Sequence, residues 1–166
     1  LRTFATPEEH SEDHWQQILA VNLTGVFLMA RAVVPVMRGR GGTIINMASM
    51  AAVHPYPSGL AYAASKAGVL NFSRSLAEAV TEDGIRVNAI CPGGVDTPIL
   101  NWGARNEPKK RTSLELMDPL EIGRLVLYLA THSDIQGQVF SARKINGVTR
   151  FHYVDVTVSD QELFLA

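Results

Sequence analysis

Two short apolar runs flank a helical segment in the middle of the chain, and this order restricts the fold more than any other feature. The first run, TIINMA at 43–48, follows a pair of glycines. Residues 60–82 carry apolar side chains at helical spacing, and the second run, IRVNAIC, occupies 85–91. A short continuous apolar run is typical of a parallel strand that is covered on both faces. The sequence therefore predicts an α/β protein.

Helices are also predicted before the first strand. Residues 6–9, Thr-Pro-Glu-Glu, have the form of a capping box with Pro7 at the first helical position, so a short helix should begin there. From residue 15 to 37 apolar side chains recur at steps of three and four, which predicts one long helix ended by the glycines at 41 and 42. Asn22 falls on that apolar stripe, where it is either a core amide satisfied by backbone or a functional residue.

The C-terminal part of the chain is less regular. Residues 99–117 are polar and irregular, which fits either a mobile lid over a pocket or a surface excursion. Asp-Pro-Leu-Glu at 118–121 is a second capping box and opens an amphipathic helix. GQVFS at 137–141 is predicted to be the final strand. The segment from 147 to 166 is expected to be either an extra edge strand or an arm onto a partner.

The composition bounds the class of protein. The 166 residues are 46% apolar and 19% charged with a net charge of −1, which predicts one domain over 1–166. We expect no nucleic-acid partner, and no membrane partner because no stretch approaches a membrane-spanning length. The single cysteine, Cys91, fits a reducing, cytoplasmic location and is expected to be a buried thiol. His10 and His14 are the nearest approach to a metal-ligand spacing, and no metal site is predicted.

Ser49, Tyr62 and Lys66 together describe a proton-transfer site. On the predicted helix, Tyr62 and Lys66 of YAASK stand one turn apart on the same face. A free tyrosine has a pKa of about 10, and a nearby positive charge favours its phenolate. Ser49, thirteen positions before Tyr62, could donate to the same substrate oxygen, which suits carbonyl/alcohol interconversion. The alternative is an ordinary amphipathic helix whose Lys66 extends into solvent.

Four motifs in a fixed order resemble the short-chain dehydrogenase/reductase family: VNLTGVF, NMAS, YAASKAG and RVNAICPGGVDTP. The likeness is dense over 15–98. It implies a catalytic tetrad in which Tyr62 is the acid/base, Ser49 polarises the substrate and Lys66 contacts the ribose. In the same tetrad Asn22 would anchor a water that relays protons.

The resemblance also implies a nicotinamide cofactor, NAD or NADP, held in part by Tyr62 and Lys66. Further cofactor contacts are implied at Pro92, Gly93, Val95 and Thr97. On its own the segment would fit an ordinary strand-to-loop turn. The implied fold is the C-terminal part of a doubly wound Rossmann-type parallel sheet in three layers, with a small alcohol or ketone as substrate. A homo-oligomer, dimer or tetramer, through the two long helices is also implied.

The chain departs from the family pattern at both ends. The family's glycine-rich turn between its first strand and helix has no counterpart here. Because the chain also opens with Leu1, we expect a fragment lacking the first βαβ units, with the edge of the 43–48 strand and apolar helix faces exposed. Ala142-Arg143-Lys144-Ile145 replaces the family's acidic, double-glycine ending, so 142–166 is expected to be a divergent tail.

Three functions stay open on the sequence. The first is an NAD(P)-dependent oxidoreductase that interconverts an alcohol and a carbonyl. The second is a catalytically incompetent binding or oligomerisation module, favoured by the missing glycine turn. The third is a serine hydrolase that pairs Ser49 with His54, which lacks the expected G-x-S-x-G motif.

Overall fold

The computed structural model describes residues 7–99 and 115–154, in which helices and strands alternate. The elements are α1 Glu12–Leu19, α2 Gly25–Met37, β1 Gly42–Met47, α3 Leu60–Ala79, β2 Ile85–Pro92, α4 Pro119–Thr131, β3 Val139–Ile145 and β4 Val148–Tyr153. A π-helical segment, Ala20–Thr24, joins α1 to α2, and 3-10 turns occupy Pro7–Glu9, Met50–Ala52 and Thr81–Asp83. The predicted elements are therefore present, with the short helix near Pro7 reduced to a 3-10 turn.

In the described part of the chain the strands form one four-stranded sheet in the order β1-β2-β3-β4. β1 and β2 run parallel with Gly42 opposite Ile85, and β2 and β3 run parallel with Ala89 opposite Val139. β4 is antiparallel to β3. The carboxyl ends of the three parallel strands consequently meet at the same edge of the sheet.

Helices cover both faces of this sheet, which gives the predicted three layers. The side chains of β2 alternate: Ala89 and Cys91 share a buried cluster with Val69 of α3, whereas Ile90 shares one with Leu129 of α4. Because helices bury both faces, the strand has to be apolar at almost every position. Burial on both faces therefore explains why the sequence at 85–91 is a nearly continuous apolar run.

α1, the π-helical segment and α2 form one continuous helix of 26 residues, from Glu12 to Met37. It contains an 18-residue window of mean hydropathy 1.8, so by length and composition alone it could cross a membrane. The expectation that no stretch approaches that length is therefore wrong. A mostly buried core helix of a soluble protein and a signal sequence near the N-terminus pass the same test, and 17% of this window is buried. The helix buries Ile18, Ala30 and Val34.

β3 and β4 form a hairpin that the sequence left open. The strand predicted to end at Ser141 continues to Ile145, and the chain turns through Asn146 and Gly147 with φ of 52° and 74°. Positive φ at both central residues is the mark of a type I′ turn, which suits a two-residue hairpin. The tail segment Val148–Tyr153 is thus an edge strand, while 155–166 lies outside the described residues.

The outer edge of β1 and one face of the long helix are exposed, as expected. Among the described residues β1 pairs with β2 alone. Val21, Met29 and Val36 on the long helix are 58%, 64% and 66% exposed. Most of the predicted lid, 99–117, falls outside the described residues.

Candidate active site

The carboxyl ends of β1 and β2 and the first turns of α3 enclose a cavity of about 560 Å³. Pockets for small molecules usually measure about 300–1,000 Å³, and open α/β sheets place them at the carboxyl ends of the strands. The described residues that line the cavity are Met47, Ala48, Ser49, Met50, Ala51, His54, Pro55, Tyr56, Tyr62, Lys66, Pro92, Gly93, Gly94, Val95, Thr97, Ile99, Pro119 and Ile122.

Tyr62 and Lys66 reach this cavity from one face of α3. The Lys66 Nζ donates to the Met47 carbonyl at 2.9 Å and lies 5.8 Å from the centroid of the Tyr62 ring. Burial lowers the pKa of Lys66, and the Cys91 thiol opposes that shift by a smaller amount. The last residue of β1 therefore holds the ammonium in place beside the phenol.

Cys91 lies under the cavity, at the end of β2. It is fully buried, and burial raises the pKa of its thiol to about 11, with a Ser49 backbone hydrogen bond and the Lys66 charge opposing the shift. A thiol is a poor nucleophile in its protonated form. Cys91 is thus the buried, small apolar side chain that the sequence predicted.

Ser49 leaves β1 in an extended conformation and caps the 3-10 turn Met50–Ala52. Its Oγ accepts a hydrogen bond from the backbone N–H of Ala51 at 3.1 Å. A serine hydroxyl has one hydrogen to donate, and this contact uses only its acceptor side. The cap fixes the Oγ at the cavity wall while leaving the O–H available to a ligand oxygen.

Asn22 lies behind the cavity rather than in its wall. It sits in the π-helical segment, is 9% exposed, and its Nδ2 donates to the Ser65 Oγ at 3.1 Å. Ser65 in turn donates to the backbone carbonyl of Tyr62 at 2.7 Å. Single-turn π segments inside α-helices are frequent at functional sites. Three of the four predicted catalytic side chains share the cavity, and Asn22 connects to it through the Tyr62 turn.

The loop after β2 forms another wall of the cavity. Together with Pro92, the last residue of β2, it supplies the four residues implied as further cofactor contacts, which all line the cavity: Pro92, Gly93, Val95 and Thr97. Gly93 N donates to the Ala142 carbonyl at 2.8 Å, and a Cβ at Gly93 would lie 3.3 Å from that oxygen. Met117 N donates to the Gly94 carbonyl at 2.9 Å, and Asp96 N donates to the Met117 carbonyl at 3.0 Å. These bonds tie the loop to β3 and to the chain entering α4.

The described residues fit one end of a nicotinamide dinucleotide and not the other. The cavity is lined by Gly93 and Gly94 of the loop after β2 and by the side chains of Tyr62 and Lys66. A pyrophosphate usually binds a glycine-rich turn that leads from a strand into a helix N-terminus. In the described part of the chain, β1 leads into a three-residue 3-10 turn and β2 into a loop. The residues present therefore match the nicotinamide and its ribose alone.

Sequence reasoning missed two contacts at this cavity. The Tyr56 ring lies 6.0 Å from that of Tyr62, centroid to centroid. The Arg143 guanidinium contacts the Nε2 of His54 across the cavity rim. Because His54 and Arg143 are 89 residues apart, no local signal could have joined them. Among the described hydrogen bonds His54 makes none to Ser49, so the hydrolase arrangement is not formed.

Comparison with known proteins gives the same family as the motifs. The model of the short chain dehydrogenase family matches residues 2–107. The chain is 38% identical to the 3-oxoacyl-(acyl-carrier-protein) reductase FabG of Chlamydia trachomatis, covering 79% of this chain and 56% of that protein. It is 41% identical to a 3-alpha-(or 20-beta)-hydroxysteroid dehydrogenase of Mycobacterium bovis, covering 76% of this chain and 48% of that protein. The chain thus spans about half the length of the curated relatives it matches.

Solved structures agree with this result. Levodione reductase matches with a TM-score of 0.79 at 27% identity, over 88% of this chain and 61% of that one. The 4-hydroxyisoleucine dehydrogenase complexed with NADH matches with a TM-score of 0.77 at 26% identity, over 85% of this chain and 62% of that one. The sheet is accordingly the C-terminal part of a Rossmann-type fold. The chain belongs to the short chain dehydrogenase family.

Proposed function

We propose that this chain carries the proton-transfer site of an NAD(P)-dependent oxidoreductase that interconverts a small alcohol and its carbonyl compound. The observation that supports it is the arrangement of Ser49, Tyr62 and Lys66 around one cavity, with the Lys66 ammonium held on the Met47 carbonyl and 5.8 Å from the Tyr62 ring. Side chains that move a proton to a reacting oxygen must lie within hydrogen-bonding reach of it, and this wall presents two hydroxyl groups to one space.

In the reductive direction the substrate carbonyl oxygen lies between the Ser49 Oγ and the Tyr62 hydroxyl. A nicotinamide cofactor held beside Pro92 and Gly93 would supply the hydride that the carbonyl carbon needs. Tyr62 donates its proton to the oxygen, Ser49 donates a hydrogen bond to the same atom, and Tyr62 then regains a proton from solvent. The Lys66 charge stabilises the negative charge that forms transiently on the phenol.

Lys66 has a second role in this proposal. Its ammonium has three N–H bonds, and the Met47 carbonyl takes one. The remaining donors are available to the ribose hydroxyls of NAD or NADP, which would lie against Pro92, Gly93, Val95 and Thr97. Asn22 acts indirectly: its hydrogen bond to Ser65 supports the helical turn that carries Tyr62. The water relay that the resemblance implies would start from the same amide.

A titration with NADH and NADPH, following nicotinamide fluorescence, tests this proposal. We expect a saturable signal with at least one cofactor, which would also decide between the two. Replacing Lys66 by Met should weaken binding about ten- to a hundredfold, because a charged hydrogen bond contributes about 1.5–3 kcal/mol. The control is Lys144→Met, which removes a charge from the opposite side of the sheet. A folded sample that gives no saturable signal with either cofactor would contradict the proposal for this chain.

The second candidate is a binding or oligomerisation module of the same family. It is favoured by the exposed apolar residues Val21, Met29 and Val36 on the long helix, and by the lack of a pyrophosphate-binding turn in the described part of the chain. In either case we propose a cytoplasmic homo-oligomer that uses this helix. Sedimentation analysis of Met29→Lys tests the interface: the variant should dissociate, and unchanged sedimentation would exclude this face. An oligomer that binds no cofactor would favour the module over the enzyme.

A further inference from the structure

The β3–β4 hairpin carries different charges on its two faces, and the difference points to a ligand. On the α4 side Lys144 lies 4.0 Å from the Glu121 carboxylate, so its charge is neutralised within the protein. On the α3 side Arg143 lies directly opposite Arg150 in the antiparallel register. Opposite residues of a ladder place their side chains on the same face, where like charges destabilise the pairing. The hairpin therefore places two arginines opposite each other on the face that is turned towards α3.

Arg143 extends towards the cavity. Its Cγ lies 3.7 Å from where a Cβ of Gly93 would be, and its guanidinium contacts the Nε2 of His54. Both Gly93 and His54 line the cavity. The nitrogen of His54 that faces Arg143 accepts a hydrogen bond, because a guanidinium can only donate. Among the described residues, this is the one hydrogen bond that the Arg143 guanidinium makes.

No carboxylate in the described part of the chain neutralises this guanidinium. Among residues 7–99 and 115–154, no Asp or Glu oxygen lies within 4.0 Å of Arg143. The described lining of the cavity contains no Asp or Glu at all, and its one lysine, Lys66, lies beside Tyr62 and donates to the Met47 carbonyl, at the end where the carbonyl group would react. A positive charge that no carboxylate of the described residues neutralises attracts anionic ligands.

We propose that Arg143, supported by Arg150 and His54, forms the anion-recognition end of the substrate pocket, so that the substrate is an oxo or hydroxy compound bearing a carboxylate. The planar guanidinium matches the two oxygens of a carboxylate with parallel hydrogen bonds. The reacting carbonyl would lie at Ser49 and Tyr62, and the carboxylate would lie at the hairpin. This inference rests on the proposed oxidoreductase function and assigns its substrate class.

The test compares keto acids with their methyl esters, which differ only in the charge. A series in which the ketone stands at increasing distance from the carboxylate is reduced by the full chain with the cofactor that it binds. We expect kcat/KM for the best acid to exceed that for its ester about ten- to a hundredfold. Arg143→Gln should abolish most of that ratio, and the matched control Lys144→Gln on the other face should preserve it.

The outcomes separate this inference from the proposed function. Equal turnover of acids and esters, or an unchanged acid-to-ester ratio in Arg143→Gln, would overturn the anion site while leaving the oxidoreductase intact. Weaker binding of NADH or NADPH to Arg143→Gln would overturn it too, because the anion would then belong to the cofactor. If nothing is turned over, calorimetric titration of the acids decides: binding that needs Arg143 supports the site, and no binding, or binding equal to that of the esters, overturns it.

Discussion

Arg86 joins β2 to the end of α4, and its replacement should destabilise the fold by a predictable amount. Its Nη1 donates to the carbonyls of Leu129 at 3.0 Å, His132 at 2.8 Å and Ile135 at 3.3 Å. Its Nη2 donates to the carbonyl of Ala130 at 3.1 Å. The last carbonyls of a helix have no partner within the helix and carry its negative dipole end. One guanidinium therefore binds two of the last carbonyls of α4 and two carbonyls of the chain just after it.

The size of the effect follows from these contacts. A hydrogen bond to a charged group contributes about 1.5–3 kcal/mol net, and a cation at a helix C-terminus about 0.3–1 kcal/mol. Water can reach part of this helix end, so the contributions of the four bonds do not add. We expect Arg86→Met, which keeps the apolar stem, to lower the free energy of unfolding by about 2–4 kcal/mol.

Urea denaturation followed by circular dichroism measures this loss. With a slope of about 2 kcal/mol per molar urea, the midpoint should fall by about 1–2 M while the slope stays constant. The control is Arg124→Met, which removes the same charge from the exposed side of α4 and should change stability by less than about 0.5 kcal/mol. Equal losses in the two variants would refute the capping argument.

Three further predictions concern the site and the hairpin. A double-mutant cycle of Asn22→Ala and Ser65→Ala should give a coupling of about 1 kcal/mol in urea denaturation, and strict additivity would mean that their bond contributes nothing. Because burial raises the pKa of Cys91 to about 11, the neutral thiol favours the folded state. That contribution is complete below the unfolded pKa of about 9 and is lost as the pH rises towards 11. Iodoacetamide at about pH 9 should thus label Cys91 only after unfolding, and rapid labelling of the folded protein would contradict the burial. Gly147→Ala should cost about 1 kcal/mol because of its positive φ, whereas Gly123→Ala, on an open helix surface, should gain about as much; equal melting shifts would refute the turn assignment.

The elements that could be predicted from sequence are those whose signals are local. Apolar runs bounded by glycine located β1 and β2, and the capping box at Asp118 located the start of α4. The Asn146-Gly147 pair is also a local hairpin signal. The turn was not predicted because apolar and polar residues alternate only weakly in the segment that follows it. The π-helical segment around Asn22 could not be predicted, because the spacing of its apolar residues is the same as that of an α-helix.

The site was predictable to the extent that its residues follow a motif. Ser49, Tyr62 and Lys66 meet because a strand and the next helix bring them to one edge of the sheet. His54 and Arg143 come from segments with no relation in sequence, and their contact depends on the parallel pairing of β2 with β3. The membrane-spanning length of the long helix could not be seen from its apolar pattern, because Asn22 and Arg31 interrupt that pattern. The mean hydropathy of the helix is nevertheless high.

The most direct test of the central claim is the turnover of Tyr62→Phe beside that of Tyr128→Phe. Each variant loses one hydroxyl, and Tyr128 lies on α4, stacked on His132. In ketone reduction with a bound nicotinamide cofactor, we expect Tyr62→Phe to lose about 10²–10⁴-fold in kcat with its unfolding midpoint almost unchanged. Tyr128→Phe should keep the wild-type rate. Undiminished turnover in Tyr62→Phe would contradict the assignment of this tyrosine as the acid/base.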